Sequence, residues 1–175
     1  MRETVEILLS AGQIQKRVGE LAEEITADYG GKVITMVCIL KGGVVFLTDL
    51  ARKVNGPVEF EFMDVSSYGN GTVGGEIEFR KDVEGGLDGK NVLLVEDIID
   101  TGNTIGFICD HLRAKNPATF KVCALLDKPE RRVLSGLRID YTGFVIPDRF
   151  VVGYGLDYAQ RYRNLDHVGI LKFED

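Results

Sequence analysis

The chain contains no tryptophan, and its 175 residues include only three cysteines, four prolines and two histidines. The cysteines, Cys38, Cys109 and Cys123, lie in apolar surroundings and form no closely spaced pair. We therefore expect buried thiols rather than a disulfide framework or a zinc site. An odd number of cysteines also fits a reducing compartment.

The chain also has few positive charges. It contains 21 Lys and Arg residues and 27 Asp and Glu residues, so its net charge is −6. We do not expect such a protein to bind a nucleic-acid backbone or an anionic membrane surface. No apolar run approaches the ~20 residues of a membrane-spanning helix, and residues 1–6 lack the features of a signal peptide. The sequence therefore predicts a cytoplasmic protein with neither a membrane nor a nucleic acid as its partner.

Three apolar runs, residues 33–40, 92–96 and 120–126, predict buried strands, and a helical pattern separates each from the next. Strands that are apolar on both faces are typical of parallel sheets covered by helices. The length suits one domain. We therefore predict a single α/β domain, residues 1–175, with a central, mostly parallel sheet flanked by helices.

A hairpin is predicted between the first and second of these strands. Residues 58–65 alternate, with Val58, Phe60 and Phe62 assigned to the buried face, and residues 76–79 alternate again. Between them, residues 69–75 contain four glycines, which predicts a flexible loop. Ser67 and Tyr68 stand near its base, where such a loop can close over an active site.

The segment 92–104 carries the strongest chemical signal. Its apolar strand ends in Glu96 and Asp97, a small polar turn follows, and a helical pattern then begins. Ligands of parallel α/β proteins bind beyond the carboxyl ends of the strands. Taken alone, the segment also fits a capped turn with a solvated acidic edge. Five charged residues from separate loops are expected at this sheet edge, however, and favour a site: Lys41, Glu96, Asp97, Asp100 and Lys128.

These motifs resemble a known family. Residues 95–104 resemble the phosphoribosyl-diphosphate motif of the type I phosphoribosyltransferases, and residues 40–43, Ser67, Tyr68, Lys128 and 150–158 resemble the hypoxanthine(-guanine) branch, in order. The resemblance implies the type I phosphoribosyltransferase fold, with a core of about residues 30–140. It also implies a small hood, formed by the N-terminal segment and about residues 141–175.

The same resemblance implies a purine salvage reaction. Phosphoribosyl diphosphate and a 6-oxopurine base, hypoxanthine and also guanine, would give the nucleoside monophosphate and pyrophosphate with Mg²⁺. Positive charge develops on the ribose and negative charge on the leaving group, so anions and cations are needed at opposite ends of the site. The resemblance also implies a homodimer or a homotetramer.

Residue roles follow from the resemblance alone. Asp100 would be the general base near N7 of the purine, Ser67 and Tyr68 would lie on the closing loop, and the Leu40–Lys41 peptide would be cis. The expected phosphoribosyl diphosphate and 5′-phosphate contacts are Glu96, Asp97, Asp100, Thr101, Gly102, Asn103 and Thr104. The expected pyrophosphate contacts are Lys41, Gly42, Arg163 and Arg132. The expected purine contacts are Lys128, which donates to O6, Phe150, which stacks, Val151 and Asp157. The expected metal ligands are Glu96, Asp97 and Asp157.

Two positions depart from the family pattern. Asn103 replaces a lysine that some members carry, and Gly155 replaces an alanine, which we expect to be a minor change.

Two alternative functions stay open from sequence alone. One is a regulator that binds RNA or DNA, for which submicromolar, salt-sensitive oligonucleotide binding would be the evidence. The other is a transferase for xanthine, adenine or a pyrimidine.

Overall fold

The computed structural model describes residues 2–68 and 76–174. Strands and helices alternate along most of this chain, and a short 3-10 helix, Pro129–Arg131, follows the sixth strand. The elements are β1 (Arg2–Leu9), α1 (Ala11–Tyr29), β2 (Ile34–Ile39), α2 (Val44–Lys53), β3 (Val58–Tyr68), β4 (Glu76–Lys81), β5 (Asn91–Ile99), α3 (Asn103–Arg113), β6 (Thr119–Asp127), β7 (Tyr141–Val145), β8 (Val151–Val152) and β9 (Val168–Glu174).

The larger sheet has six strands in the order β4-β3-β2-β5-β6-β7. Every neighbouring pair is parallel except β3 with β4, which form an antiparallel edge. The predicted α/β class and mostly parallel sheet are therefore confirmed. The carboxyl ends of β2, β5 and β6 all lie on one edge, which is where the functional residues were expected.

Both faces of this sheet are covered, which explains the apolar runs in the sequence. Along β2, Met36 and Cys38 pack into one core cluster with α1 and α2, while Val37 and Ile39 pack into a second cluster with α3. β5 alternates in the same way. All three cysteines are buried and free, as predicted.

β5 is longer than the sequence predicts. The expected strand ends at residue 96, but pairing with β6 continues through Ile98 opposite Leu126 and Ile99 opposite Asp127. β6 extends equally far and supplies hydrogen-bond partners for these residues. Glu96 and Asp97 therefore lie inside the sheet rather than just beyond it.

A second, three-stranded sheet has the order β1-β9-β8 and is antiparallel. It joins the N-terminal segment to the C-terminal strands, and the sequence analysis did not predict β1 as a strand. β7 falls within the predicted hood, about residues 141–175, but it belongs to the larger sheet. The division into a core and a hood therefore stays a prediction. None of the helices in the described ranges has the length and apolarity needed to cross a bilayer.

The two arms of the predicted hairpin are β3 and β4, paired from Asp64–Lys81 to Tyr68–Glu76. The predicted flexible loop, residues 69–75, and the side chains of Ser67 and Tyr68 lie outside the described part of the chain. The expected burial of Phe60 is wrong, because its side chain is 50% exposed. Only the edge strand β4 lies beyond β3 in the sheet. The face of β3 that carries Phe60 is therefore covered only in part.

Candidate active site

A cavity of about 440 Å³ opens at the carboxyl edge of the larger sheet. We call its two sides the β5–α3 wall, residues 96–104, and the C-terminal wall, residues 154–163. The loop after β2 forms its floor. Ten predicted site residues line the cavity: Lys41, Gly42, Glu96, Asp97, Asp100, Thr101, Gly102, Thr104, Asp157 and Arg163.

The turn in the β5–α3 wall presents the start of a helix to the cavity. Gly102, at the N-cap of α3, has a φ of +90°, which glycine adopts without strain. The N-cap residue Gly102 supplies no side-chain cap, Thr101 Oγ1 accepts only a long hydrogen bond of 3.5 Å from the N–H of Asn103, and the first turn holds no acidic residue. The first N–H groups of a helix lack partners within the helix, so this start can bind an anion such as a phosphate.

Glu96 and Asp97 form an acidic pair whose carboxylates face the cavity and are otherwise surrounded by protein. Burial, reinforced by the neighbouring Asp97, raises the pKa of Glu96 well above its usual value. Burial also raises the pKa of Asp97, against the lowering effect of hydrogen bonds from the Glu96 side chain and the backbone and, to a smaller degree, of the charge of Arg163. A cation in the cavity would favour the ionised form of both groups, so the pair suits a ligand that brings or develops positive charge.

The loop after β2 approaches this pair closely. The peptide bond between Leu40 and Lys41 is cis, as the resemblance implied. A Cβ atom at position 42 would overlap the carboxylate of Asp97. A side chain at position 42 would therefore force Asp97 or the loop to move, and the constraint there is space rather than backbone conformation.

The C-terminal wall holds Asp157 and Arg163 against each other. Arg163 Nη2 lies 2.7 Å from Asp157 Oδ1, and Arg163 Nη1 donates to the carbonyl of Gly155 at 2.8 Å. The other oxygen of Asp157 accepts the backbone N–H of Gln160 at 2.9 Å. Lys41 Nζ donates to Gln160 Oε1 at 3.3 Å, which links the floor to this wall.

Gly155 is not the minor departure that we expected. Its φ is +102°, and a Cβ atom there would overlap the carbonyl oxygen of Gly42. Alanine would therefore require the C-terminal wall or the floor to shift in this chain.

Lys128 lies beside the cavity and is only 6% exposed. Its Nζ donates to the carbonyl of Arg149 at 2.6 Å, and its backbone N–H donates to the carbonyl of Ile99 at 3.0 Å. Phe150 is 55% exposed and lines a neighbouring cavity of about 570 Å³. A buried cation beside an exposed aromatic ring can bind a flat heterocycle that carries an acceptor.

Some predicted residues do not line the main cavity. Asn103 begins α3 and is exposed, and Val151 is buried in β8. Arg132 forms an ion pair with Asp127 and packs under Gly102, where a Cβ atom would lie 3.0 Å from its Cδ. Its expected role at the pyrophosphate stays a prediction, as do the roles of Lys128, Phe150 and Val151.

Two residues at the site were missed by the sequence analysis. Arg131 Nε lies 2.8 Å from Asp100 Oδ1. Glu3, in β1, accepts hydrogen bonds from Arg161, at 2.7 Å, and from Tyr162, both in the C-terminal wall. Arg131 stands in a basic run that does not distinguish its members. The contact of Glu3 joins residues more than 150 positions apart, for which a single sequence carries no signal.

Magnesium is compatible with this donor set. Among the described residues, no group of three His, Cys, Asp or Glu side chains could hold a metal ion alone. Mg²⁺, however, usually binds through one or two carboxylates together with substrate phosphates and water. Asp157 on one wall and the acidic pair on the other would hold a metal that arrives with a diphosphate.

Comparison with known proteins identifies this arrangement. Residues 4–159 match the phosphoribosyl transferase domain. The bifunctional protein TilS/HprT of Listeria innocua is 47% identical over 96% of this chain, which spans only 26% of that protein. The hypoxanthine phosphoribosyltransferase of Haemophilus influenzae is 45% identical over 98% of this chain and 97% of its own length.

The solved structures agree. A hypoxanthine-guanine phosphoribosyltransferase from Bacillus anthracis, with a HEPES molecule in its active site, superimposes with a TM-score of 0.90 at 45% identity. The match covers 94% of this chain and 97% of that one. Sequence and fold agree, and the chain therefore belongs to the hypoxanthine(-guanine) phosphoribosyltransferase family.

Proposed function

We propose that the protein transfers the 5-phosphoribosyl group from phosphoribosyl diphosphate to hypoxanthine and guanine, giving the nucleoside monophosphates and pyrophosphate. One observation carries this proposal. The half-buried Glu96–Asp97 pair lines the same cavity as the start of α3 and the cations Lys41 and Arg163. Negative charge is thus available for a cation-like ribose, and positive charge for phosphate groups.

In the reaction, a bond forms between N9 of the purine and C1′ of the ribose, and the bond from C1′ to the pyrophosphate oxygen breaks. The 5′-phosphate would bind at residues 100–104, on the free N–H groups of α3 and the Thr101 and Thr104 hydroxyls. Glu96 and Asp97 would accept hydrogen bonds from the ribose hydroxyls. Asp100 would take the proton that leaves N7 of the purine.

Lys41, the Gly42 backbone and Arg163 would bind the pyrophosphate, and Arg163 would exchange its contact with Asp157 for a phosphate oxygen. Bound Mg²⁺ would neutralise charge on the diphosphate and favour its departure. Asp157 and the acidic pair are its proposed protein ligands. Ser67 and Tyr68 would lie on the loop of the hairpin that closes over the site.

Lys128 would donate to O6 of the base and so disfavour adenine, whose 6-amino group is a donor. Phe150 would stack on the ring, and Val151 would contact it through its backbone. A homodimer or homotetramer is part of this proposal, and the membership of the family is its support. Sedimentation would distinguish these assemblies from a monomer.

The proposal is tested by measuring kcat/KM for hypoxanthine, guanine, xanthine and adenine with phosphoribosyl diphosphate and Mg²⁺. We expect IMP and GMP as products, and values for adenine at least about a hundredfold lower, because an unpaired buried donor opposes it. Removal of Mg²⁺ with EDTA should abolish turnover. Equal or faster use of adenine or xanthine would contradict the assignment.

A further inference from the structure

Arg131 contacts Asp100, the proposed general base, through its charge alone. It ends the 3-10 helix that begins directly after Lys128. Its Nε lies 2.8 Å from Asp100 Oδ1, but the pair lacks hydrogen-bond geometry, and this buried oxygen has no hydrogen-bond donor within the described ranges. Asp100 is thus neutralised by Arg131 and its Oδ1 is enclosed, so a purine N–H could reach this oxygen only after a neighbour moves.

Arg131 also has a second partner within reach. Its Nη1 lies 3.6 Å from Asp148 Oδ1, and Lys128 Nζ lies 3.8 Å from the same oxygen. Four charges therefore alternate in sign along one side of the site, in the order Asp100, Arg131, Asp148, Lys128. Under the proposed function, a 6-oxopurine would engage the two ends, with N7–H at Asp100 and O6 at Lys128.

We propose that Arg131 is a positioning residue that holds Asp100 in the absence of a purine and transfers to Asp148 when a purine binds. This inference rests on the proposed function. When Lys128 turns to O6, Asp148 is left with Arg131 as its cation, while Asp100 exchanges Arg131 for the N7–H donor of the purine. Arg131 and Asp100 are 46% and 42% exposed, and contacts between such groups are weak enough to exchange.

A consequence is that Arg131 competes with the purine. The apparent affinity for a ligand falls by the fraction of protein in the competent state. An ion pair at this exposure shifts that fraction by a factor of about two to five. Removing the competitor should therefore tighten purine binding, which loss of a structural contact would not do.

The test is KM for hypoxanthine at saturating phosphoribosyl diphosphate and Mg²⁺. In Arg131→Gln we expect KM to fall about two- to fivefold, with the change in KM rather than kcat. Arg131→Lys keeps the charge and should restore the wild-type KM. Arg138→Gln removes the same charge from a side chain that is 81% exposed and pairs with Asp140 outside the site, so it should change neither constant.

Substitution of Asp148, the second partner of Arg131, should change the KM for hypoxanthine in the opposite direction. Asp148→Asn removes the second partner of Arg131, so KM should rise. In Arg131→Gln combined with Asp148→Asn, the part of this rise that acts through Arg131 should disappear, and only a part that acts through the contact between Asp148 and Lys128 should remain.

The outcomes separate the two proposals. If the wild-type protein forms no nucleotide, the proposed function is wrong and the role of Arg131 is wrong with it. If it forms nucleotide but KM in Arg131→Gln is unchanged or higher, or if Asp148→Asn acts equally with and without Arg131, only the role of Arg131 is overturned.

Discussion

The β5–α3 wall is one continuous piece of chain, whereas the C-terminal wall is a turn whose shape depends on distant residues. In the first, the strand, acidic pair, glycine and helix start follow one another within residues 96–104. In the second, Ala159, Gln160 and Tyr162 have positive φ angles, and Glu3 in β1 binds the turn. One wall is rigid through its own sheet and helix, and the other through contacts made elsewhere.

The largest expected effect lies in the β5–α3 wall. Asp100→Ala should lower kcat about 100- to 10,000-fold, because proton transfer by a positioned base contributes that much. Substrate binding should stay mostly intact. Steady-state kinetics with hypoxanthine measures both. Asp110→Ala, on the exposed face of α3, is the matched control and should behave as wild type. A kcat within threefold of wild type for Asp100→Ala would remove Asp100 as the base.

The second largest effect is expected at Gly42, in the floor of the cavity. Gly42→Ala should lower kcat/KM by about a hundredfold, because the new Cβ forces Asp97 or the loop to move and ångström-scale misplacement has this cost. Gly19→Ala is the control, since nothing lies within 4 Å of its Cβ in α1. It should keep full activity and raise Tm by a few degrees, as alanine favours helix interiors by about 0.5–1 kcal/mol. Equal kinetics in both variants would show that position 42 tolerates a side chain.

The smallest effect is expected from the distant anchor of the C-terminal wall. Glu3→Gln weakens the bonds to Arg161 and Tyr162, so KM for phosphoribosyl diphosphate should rise about two- to threefold, the effect of one exposed ion pair. The KM for hypoxanthine should change less. Glu174→Gln, at the end of β9, serves as the control. If both KM values rise equally, the C-terminal wall is not specifically held by Glu3.

The contrast between the walls also explains what the sequence could predict. An apolar run followed by acids, glycine and a helical pattern is local, so the β5–α3 wall and the parallel sheet follow from residues near one another. β1 could not be predicted, because its residues Arg2–Leu9 are mostly polar or half-exposed and it is stabilised by pairing with β9.

Side-chain partners were the hardest part to predict. The pattern assigned Phe60 to the buried face, but burial also depends on which element covers that face. Position 155 looked tolerant, because the backbone of Gly42 that excludes a Cβ there comes from a loop more than 100 residues earlier. Arg131 and Arg132 are neighbours in sequence, yet one reaches Asp100 and the other Asp127.

The backbone hydrogen bond from Lys128 to Ile99 has a further consequence. Ile99 directly precedes Asp100, so this bond holds the backbones of Lys128 and Asp100 next to each other at the sheet edge. O6 and N7 are likewise neighbours on one edge of a purine. A base without an acceptor beside N7 would therefore meet Asp100 and find no partner for Lys128.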